Sequence, residues 1–448
     1  MTDILPDTLD QLSDLVSRAL KAGADEADAL LVDSTSLSAS CRLGAPEHVE
    51  RAEESDIGLR VIVGKRQACV SSTDREPEAL EALVERTLAM ARAVPEDPFC
   101  GLATPAQITT EVPDLDLADR VEPSPEQLAA RALEAEEAAR AIAGVTNSEG
   151  GSASWGRATV AMAASNGFRG GFTRTQQSVS AAVLAGAGTA MERDYEFTAA
   201  VYGEDLMPAA EVGRRAGERA IRRLGARKAK TARVPVVFDR RVANSLLGHL
   251  ASAINGRDVA RGTSFLKDRM GEEIFAPGLT VIDDPHRRRG LKSKPFDVEG
   301  LGGARHQVIQ NGRLTTWILD LRTARQLGLS STGHASRSTG GPPSPASSNL
   351  YLEPGTQSVA DLIGDIETGF LVTEMMGFGV NPITGDYSRG AGGFWISNGK
   401  VTHPVAEATI AGNLKDMFMA IGRADDIDMR RSTASPSLRV EGMMVAGA

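Results

Sequence analysis

Residues 369–414 read GFLVTEMMGFGVNPITGDYSRGAGGFWISNGKVTHPVAEATIAGNL, and the strands on either side are expected to assemble around this stretch. Its glycines are interleaved with β-branched and aromatic residues. The pair Asn398-Gly399 between two such runs is the strongest short-range signal for a β-hairpin. Glycine inside a strand marks a bulge, a bend or the close approach of another backbone. The stretch is therefore predicted to be a sheet built to hold an extended chain or a protein partner.

The sequence around this stretch is also rich in strand patterns. A strand at 234–239 leads into a helix that Asp239 is placed to cap, and the pair Asn311-Gly312 predicts a second hairpin. Residues 437–447 form a last apolar run with strand character. We therefore expect one large β-rich C-terminal domain with helices at its flanks, covering residues 231–448.

The N-terminal half shows the same order of elements twice. Apolar residues at helical spacing predict an opening helix, strand-like runs begin at 27–33 and 36–43, and a second helix follows. Helix, strands and helix then recur beyond a proline-rich boundary segment at 94–125. The predicted fold is α+β, with an N-terminal α/β region of two helix–strands–helix units, 1–115 and 116–230, before the β-rich C-terminal domain.

Composition narrows the class of protein. A chain of 448 residues with 42% hydrophobic and 24% charged residues is typical of a soluble globular protein of two or three domains. The net charge of −10 argues against nucleic-acid binding by the chain as a whole. No run of eighteen apolar residues and no signal-peptide pattern at the start MTDILPDTLD are present, so we expect a cytoplasmic protein without a membrane span. The three cysteines lack CxxC spacing and are expected to be reduced.

One segment departs from the acidic balance. Residues 207–241 hold eleven Lys or Arg against three Asp or Glu, which would suit an anionic partner such as nucleic acid. Interleaved aromatic residues are missing, however, and the arginines recur at the spacing of one helix face. A solvated helix face is the interpretation that we favour.

Common catalytic motifs are absent from the sequence. There is no GxSxG, and Gly151–Thr159 has phosphate-loop glycine spacing but lacks the required lysine and hydroxyl. A zincin helix needs two histidines about one turn apart with a glutamate beside the first. None of the six histidines meets this requirement, and His249 is predicted to be an ordinary helix residue.

Three longer segments carry a family resemblance. They are NGRDVARGTSF at 255–265, QNGRLTTWILDLRTARQLG at 310–328 and NPITGDYSRGAGGFWISNGKVTHPVAEATIAGNL at 381–414. The chain resembles the TldD/PmbA family, and specifically its PmbA/TldE branch, over nearly its whole length. The resemblance implies a β-rich C-terminal domain and a TldD–TldE heterodimer that degrades or trims peptides. It also implies zinc in the TldD-type subunit, held by an HExxxH helix and a cysteine near the C-terminus.

This chain departs from the zinc-binding pattern at each of those positions. Counting back from RGTS at 261–264, the two histidines and the glutamate of the family helix would fall near Leu247, Ser252 and Gly248. The C-terminal segment contains no cysteine either. We therefore expect no zinc and no other cofactor in this chain, and zinc in a TldD-type partner.

These inferences lead to one functional hypothesis. The chain is expected to be the non-catalytic subunit of a TldD/TldE-like metalloprotease, in a heterodimer or larger assembly that takes unfolded peptides. An extended peptide could add to a sheet edge through backbone hydrogen bonds. Asp386, Ser388, Arg389 and Gly390 are predicted to lie near that peptide or partner, because a polar strand opened by glycine permits close backbone approach.

Two alternatives remain open at this point. The chain could be a hydrolase that acts alone through an unrecognised site, for example acids brought near His403 by the fold. It could instead be a regulatory protein of the DNA gyrase modulator type, in which Arg222 and Arg223 of the basic segment would contact DNA. Self-association into a homodimer without a partner is also left open.

Overall fold

The computed structural model describes residues 6–447; the first five residues, which carry part of the signal-peptide argument, and residue 448 lie outside this range. The N-terminal region contains helices α1 (Pro6–Lys21), α2 (Pro77–Ala93), α3 (Pro125–Arg140) and α4 (Ala209–Arg222). Its strands are β1 (Glu26–Arg42), β2 (Ala45–Val63), β3 (Arg66–Ser72), β4 (Val145–Ala164), β5 (Arg169–Ala185) and β6 (Glu192–Ala200).

These six strands form one antiparallel sheet in the order β3-β2-β1-β4-β5-β6. Pairing of β1 with β4 joins the two predicted helix–strands–helix units edge to edge. The runs predicted as two strands at 27–33 and 36–43 are parts of the single strand β1, because neither glycine nor proline interrupts the chain between them. Strand β1 pairs with β2 on its other side over its full length.

The two faces of this sheet have different neighbours. All four helices pack on one face, where Leu31 and Leu37 belong to the two helix-covered cores. Helices α3 and α4 touch closely: a Cβ on Gly213 would lie 1.9 Å from the carbonyl oxygen of Ala135. The opposite face contacts the C-terminal domain through a cluster that contains Leu30 and Phe296.

The C-terminal domain begins after α4. Its helices are α5 (Arg240–Ala253), α6 (Gly256–Arg261), α7 (Leu321–Leu327), α8 (Val359–Gly364) and α9 (Leu414–Met419). Its strands up to residue 352 are β7 (Arg227–Lys228), β8 (Ala232–Phe238), β9 (Val281–Asp284), β10 (His306–Gln310), β11 (Arg313–Leu314), β12 (Ala335–Ser336), β13 (Ser344–Pro345) and β14 (Asn349–Leu352). The remaining strands are β15 (Thr368–Met376), β16 (Asp386–Ser397), β17 (Lys400–Asn413), β18 (Ile421–Arg423), β19 (Thr433–Ala434) and β20 (Leu438–Gly447).

Five of these strands form a barrel. The sheet runs β18-β20-β8-β15-β16-β17-β7, and β20 also pairs with β17, so five strands close into a ring. A second sheet, β11-β10-β9-β14-β19, lies beside the barrel. The predicted α+β fold with a β-rich C-terminal region is therefore confirmed.

The glycine-rich stretch supplies three consecutive barrel strands. Asn398 and Gly399 both have positive φ, at 49° and 71°, as the turn between β16 and β17 requires, and the predicted hairpin is confirmed. The register of this pair shifts between Ala391 and Gly393. A Cβ on Gly393 would lie 1.9 Å from the carbonyl oxygen of Leu371, so the glycine allows two strand backbones to approach.

A buried ion cluster joins the N-terminal sheet to the C-terminal domain. The carboxylate of Asp28 on β1 accepts hydrogen bonds from Arg60 on β2 and from Arg337. All three side chains are almost completely buried. Among residues 6–447, no helix is long and apolar enough to cross a membrane.

Candidate functional site

Helix α5 is the element on which a family-type metal site would have to be built. It starts where barrel strand β8 ends, and the side chain of Asp239 accepts a hydrogen bond of 2.9 Å from the backbone N–H of Arg241, which confirms the predicted cap. Its apolar face, which includes Leu246, Leu247 and Leu250, is buried in the main core of the domain. The opposite face carries Gly248, His249 and Ser252.

The three positions expected for the metal helix do not offer metal ligands. Leu247 is a core side chain, and Gly248 faces open space, since no atom lies within 4 Å of where its Cβ would be. The Ser252 hydroxyl donates a hydrogen bond of 3.1 Å to the carbonyl oxygen of Gly248 within the same helix. Across the part of the chain that the structure describes, no three His, Cys, Asp or Glu side chains are grouped so that they could hold a metal ion. The described residues thus do not fit a zinc site of the family type.

His249 lies on α5 as predicted, in an environment that keeps it uncharged. Its ring meets the ring of Tyr387 edge-on, with centroids 5.8 Å apart. Its Nε2 is buried and has no hydrogen-bond partner within residues 6–447. Burial, with a smaller contribution from the nearby charge of Arg389, lowers the pKa of His249 to about 4. The imidazole is therefore neutral at pH 7, and no carboxylate within residues 6–447 hydrogen-bonds to it to orient it as a base.

This lowered pKa predicts an acid-sensitive contribution to stability. The unfolded chain binds the proton more readily, so stability falls as the pH drops from about 6.5 towards 4. Because His249 is only partly buried, we expect this residue to account for about 1–2 kcal/mol of the loss. Urea unfolding of the His249→Phe variant should show a correspondingly smaller loss between pH 7.5 and pH 4.5 than the wild type. His48→Phe, at an exposed position on β2, is the matched control; an unchanged pH dependence in His249→Phe would contradict this assignment.

The four residues predicted to bind a peptide or partner begin strand β16. Their backbone pairs with β17 on one side, where Tyr387 lies opposite Gly412. On the other side, the N–H of Ser388 donates to the carbonyl oxygen of Gly379 at 2.6 Å, and the N–H of Asn381 donates to Asp386 at 2.9 Å. Both edges are thus occupied, so a peptide could add as a strand at these residues only by displacing the chain's own backbone pairs; that the four residues lie near a peptide or partner stays a prediction. Glycines in a strand indicate that another backbone approaches closely. They do not show whether that backbone belongs to a ligand or, as here, to a loop of the same chain.

The side chains of these residues have separate environments. The Asp386 carboxylate accepts hydrogen bonds from Thr384 at 2.6 Å and Asn413 at 3.0 Å, and these lower its pKa. Ser388 is exposed, whereas the Nε of Arg389 is buried without a partner in the described chain. Gly390 pairs with Met376 and Thr409 inside the sheet. Asp386 and Ser388 are therefore the two of the four that present side chains to solvent.

The loop that fills the β16 edge exposes apolar side chains. This loop, residues 377–385, carries Phe378, which is fully exposed, and Ile383, which is 61% exposed; Met376 just before it is 49% exposed. The guanidinium of Arg389 lies over the Phe378 ring, 5.9 Å from its centroid. Sequence reasoning missed this patch, although an aromatic residue between two glycines, as in Gly377-Phe378-Gly379, is a usable signal for an exposed loop.

An unpaired strand edge exists elsewhere. Strand β3 pairs with β2 only from Ile57 to Val63, and residues 45–56 of β2 have β1 as their one strand partner in the described structure. Most side chains of this segment are exposed, and acidic residues outnumber basic ones. Charged side chains of this kind discourage pairing between edges. Any strand addition would therefore need a partner with complementary charge.

Part of the basic segment is neutralised by the chain itself. Arg214 and Arg215 pair with Glu211, and Arg219 pairs with Glu196 at 2.7 Å. Arg223 contacts Glu192, Asp194 and Glu374, and the guanidinium of Arg222 lies over the Phe394 ring, 4.9 Å from its centroid. Arg223 is therefore held by acidic residues of the chain itself, which weakens the case for a DNA-binding surface at Arg222 and Arg223.

Two arrangements resemble hydrolase sites without meeting their requirements. His403 has only the Thr402 hydroxyl, at 3.4 Å, as a side-chain partner in the described residues, so no acid is assembled with it. His334 and Ser348 both contact Asp283, but all three are buried and the carboxylate, not the imidazole, contacts the serine. Neither arrangement activates a nucleophile.

Comparison with known proteins assigns most of the chain to one protein family. Family models for PmbA/TldA metallopeptidase domain 1, central domain and C-terminal domain match residues 27–91, 119–224 and 231–447. "Metalloprotease PmbA" of Escherichia coli O157:H7 is 39% identical over 441 residues, which cover 97% of this chain and 96% of that protein.

Solved structures agree with this placement. A crystal structure from Bacteroides thetaiotaomicron, provisionally described as a modulator of DNA gyrase, superposes with a TM-score of 0.92 at 29% identity, covering 99% of this chain and 100% of that one. TldE from Thermococcus kodakarensis shares the fold with a TM-score of 0.88 at 22% identity, covering 98% and 100%. The chain belongs to the PmbA/TldD family, on its PmbA/TldE branch.

Proposed function

We propose that this chain is the non-catalytic, TldE-type subunit of a cytoplasmic complex with a TldD-type zinc peptidase. In this complex it supports the zinc subunit and helps to enclose or align unfolded peptides for cleavage or trimming. The observation that carries the proposal is helix α5, on which Leu247, Gly248 and Ser252 stand at the positions expected for the metal ligands and the general base.

The chemistry of zinc peptidases explains why this observation matters. A catalytic zinc needs three protein ligands and an open position for water, and a nearby glutamate accepts the proton of that water. Replacing one ligand could leave a weaker site, but here every ligand and the base are replaced together. The chain would then depend on its partner for the zinc that activates water.

The surface around the start of β16 supports a role in partner contact. The apolar patch formed by Met376, Phe378 and Ile383 is adjacent to the polar side chains of Asp386 and Ser388. Phenylalanine, methionine and arginine are enriched at protein–protein interfaces, so the patch has the composition of a contact surface. We propose that this patch contacts the TldD-type subunit, and that an extended peptide, if it adds as a strand, uses the open β2 edge at residues 45–56.

The rival function is a metalloprotease that acts alone, which the name of the Escherichia coli relative favours. Zinc bound by ligands outside α5 would be required. Among residues 6–447 no group of three His, Cys, Asp or Glu side chains is placed to supply them. Self-association of the chain without its partner is compatible with either function.

Co-purification with a TldD-type chain from the same organism tests the proposal. Wild-type chain is expected to form a stable complex, and Phe378→Ser is expected to weaken it about tenfold or more, since an aromatic hot spot contributes about 2 kcal/mol. Val121→Ser, which replaces an exposed apolar residue of the linker, is the matched control. Failure of the wild type to bind would contradict the proposed complex. Equal binding by Phe378→Ser and wild type would contradict only the assigned surface.

A further inference from the structure

A cleft lies between the N-terminal sheet and the C-terminal domain, and none of its lining residues belongs to helix α5 or to the loop at 377–385. Its walls come from β3 and the segment after α2 on one side, and from α6, the start of α7 and the prolines at 342–345 on the other. Its volume is about 390 Å³, which falls within the range of small-molecule sites. Such sites occur preferentially between domains.

The cleft contains two arginines without carboxylate partners. Arg257 and Arg261 occupy positions i and i+4 of α6, so they project from the same side of the helix. Neither forms an ion pair with any residue between 6 and 447. The third arginine of the cleft, Arg322, is already paired, since its Nε donates to Asp97 at 2.5 Å. Arg257 and Arg261 are therefore available to bind a carboxylate.

The same cleft contains buried acceptors that lack donors. Asp320 is 1% exposed; its Oδ1 caps α7 by accepting from the N–H of Thr323 at 2.7 Å, while its Oδ2 has no partner in the described structure. The Oε1 of Gln67, across the cleft on β3, is also buried without a donor. A buried carboxylate oxygen left unpaired is costly and calls for a missing donor.

The surroundings of Asp320 strengthen the need for a cation. Glu299 and Asp297 are nearby acidic residues, and burial together with the charges of Asp297 and Asp320 raises the pKa of Glu299 to about 8. Burial also raises the pKa of Asp320 itself. Negative charge is thus disfavoured around Asp320, and a positively charged group in the cleft would stabilise its carboxylate.

We propose that this cleft binds a small zwitterion of the amino-acid or dipeptide class. Its ammonium group is held by Asp320 with Gln67, and its carboxylate is held by Arg257 and Arg261. The site shares no residue with the proposed partner surface at Met376, Phe378 and Ile383. Its existence does not depend on the proposed complex.

Isothermal titration calorimetry of the isolated full chain tests the proposal. The probes are L-alanine and L-alanyl-L-alanine, each also in an N-acetylated and a C-amidated form. At least one free zwitterion is expected to bind with a Kd below about 1 mM. Both blocked forms of that probe should bind at least tenfold more weakly, and which free probe binds distinguishes the amino acid from the dipeptide.

Two variants and one control connect binding to the named residues. Asp320→Asn keeps the capping oxygen but loses the charge, and Arg257→Ala combined with Arg261→Ala changes only exposed side chains. Each should weaken binding about tenfold or more, whereas Arg269→Ala, which removes an exposed ion pair with Glu272, should not change it. No binding of either free zwitterion would overturn the proposal. Blocked probes that bind as tightly as free ones, or wild-type affinity in both test variants, would also overturn it.

Discussion

Replacing Asp28 by alanine is expected to lower the free energy of unfolding by about 3–5 kcal/mol, as removal of one partner from a buried ion cluster does. The reason is that Asp28 is the carboxylate shared by Arg60 and Arg337, and it is 1% exposed. Without it, two guanidinium groups are buried with no opposite charge between them. Other nitrogen atoms of both arginines already lack hydrogen-bond partners in the described chain. No nearby acceptor would therefore replace the lost carboxylate.

The measurement is urea unfolding of the variant and the wild type, with fluorescence as the readout. The midpoints of the two transitions are compared. Asp14→Ala provides a matched control, because Asp14 pairs with Arg18 at 2.7 Å on the exposed surface of α1. An exposed pair of this kind contributes about 0–1 kcal/mol. Similar shifts in the two variants would show that the Asp28 cluster does not hold the N-terminal sheet to the C-terminal domain.

Local patterns in the sequence were sufficient to predict most individual elements. The Asn398-Gly399 turn, the cap at Asp239 and the amphipathic helices depend on neighbouring residues, and all of them are found in the structure. The β-rich nature of the C-terminal region followed from alternating and glycine-interrupted runs. These features are specified within about ten residues of chain, where periodicity and turn chemistry determine the outcome.

Long-range pairing could not be predicted in the same way. Closure of the barrel depends on β20 pairing with β17 as well as with β8. The sequence of β20 does not indicate which strands it will pair with. Likewise, Asp28 and Arg337 are separated by 309 positions, so their contact is a property of the assembled domains. Charge patterns along the chain correctly suggested a solvated helix for the basic segment but did not reveal its acidic partners.

The candidate site likewise combines features that the sequence predicts with features that depend on long-range contacts. The positions Leu247, Gly248 and Ser252 could be assigned from sequence, since they depend only on a count along the chain from RGTS at 261–264. The state of the backbone at residues 386–390 could not, because the loop at 377–385 folds back to occupy the strand edge. A Cβ on Gly379 would lie 1.7 Å from the carbonyl oxygen of Ser388, so this glycine serves an internal contact and not a ligand.

Peptide cleavage is expected to depend entirely on the partner subunit, and this is the other large effect that we predict. A chain without zinc ligands on α5 cannot lower the pKa of a bound water, and the uncatalysed hydrolysis of a peptide bond is negligible on the timescale of an assay. The difference between the isolated chain and the complete complex should therefore be several orders of magnitude. Zinc analysis of each purified chain is the accompanying control, with metal expected only in the TldD-type subunit.

The central claim is tested most directly by one reconstitution assay. An unstructured peptide is incubated with this chain alone, with the TldD-type chain alone and with both together, each in zinc-containing buffer and in the presence of a chelator. We predict no cleavage by this chain alone and cleavage by the mixture that the chelator abolishes. Cleavage by this chain alone, with zinc bound in stoichiometric amount, would contradict the account.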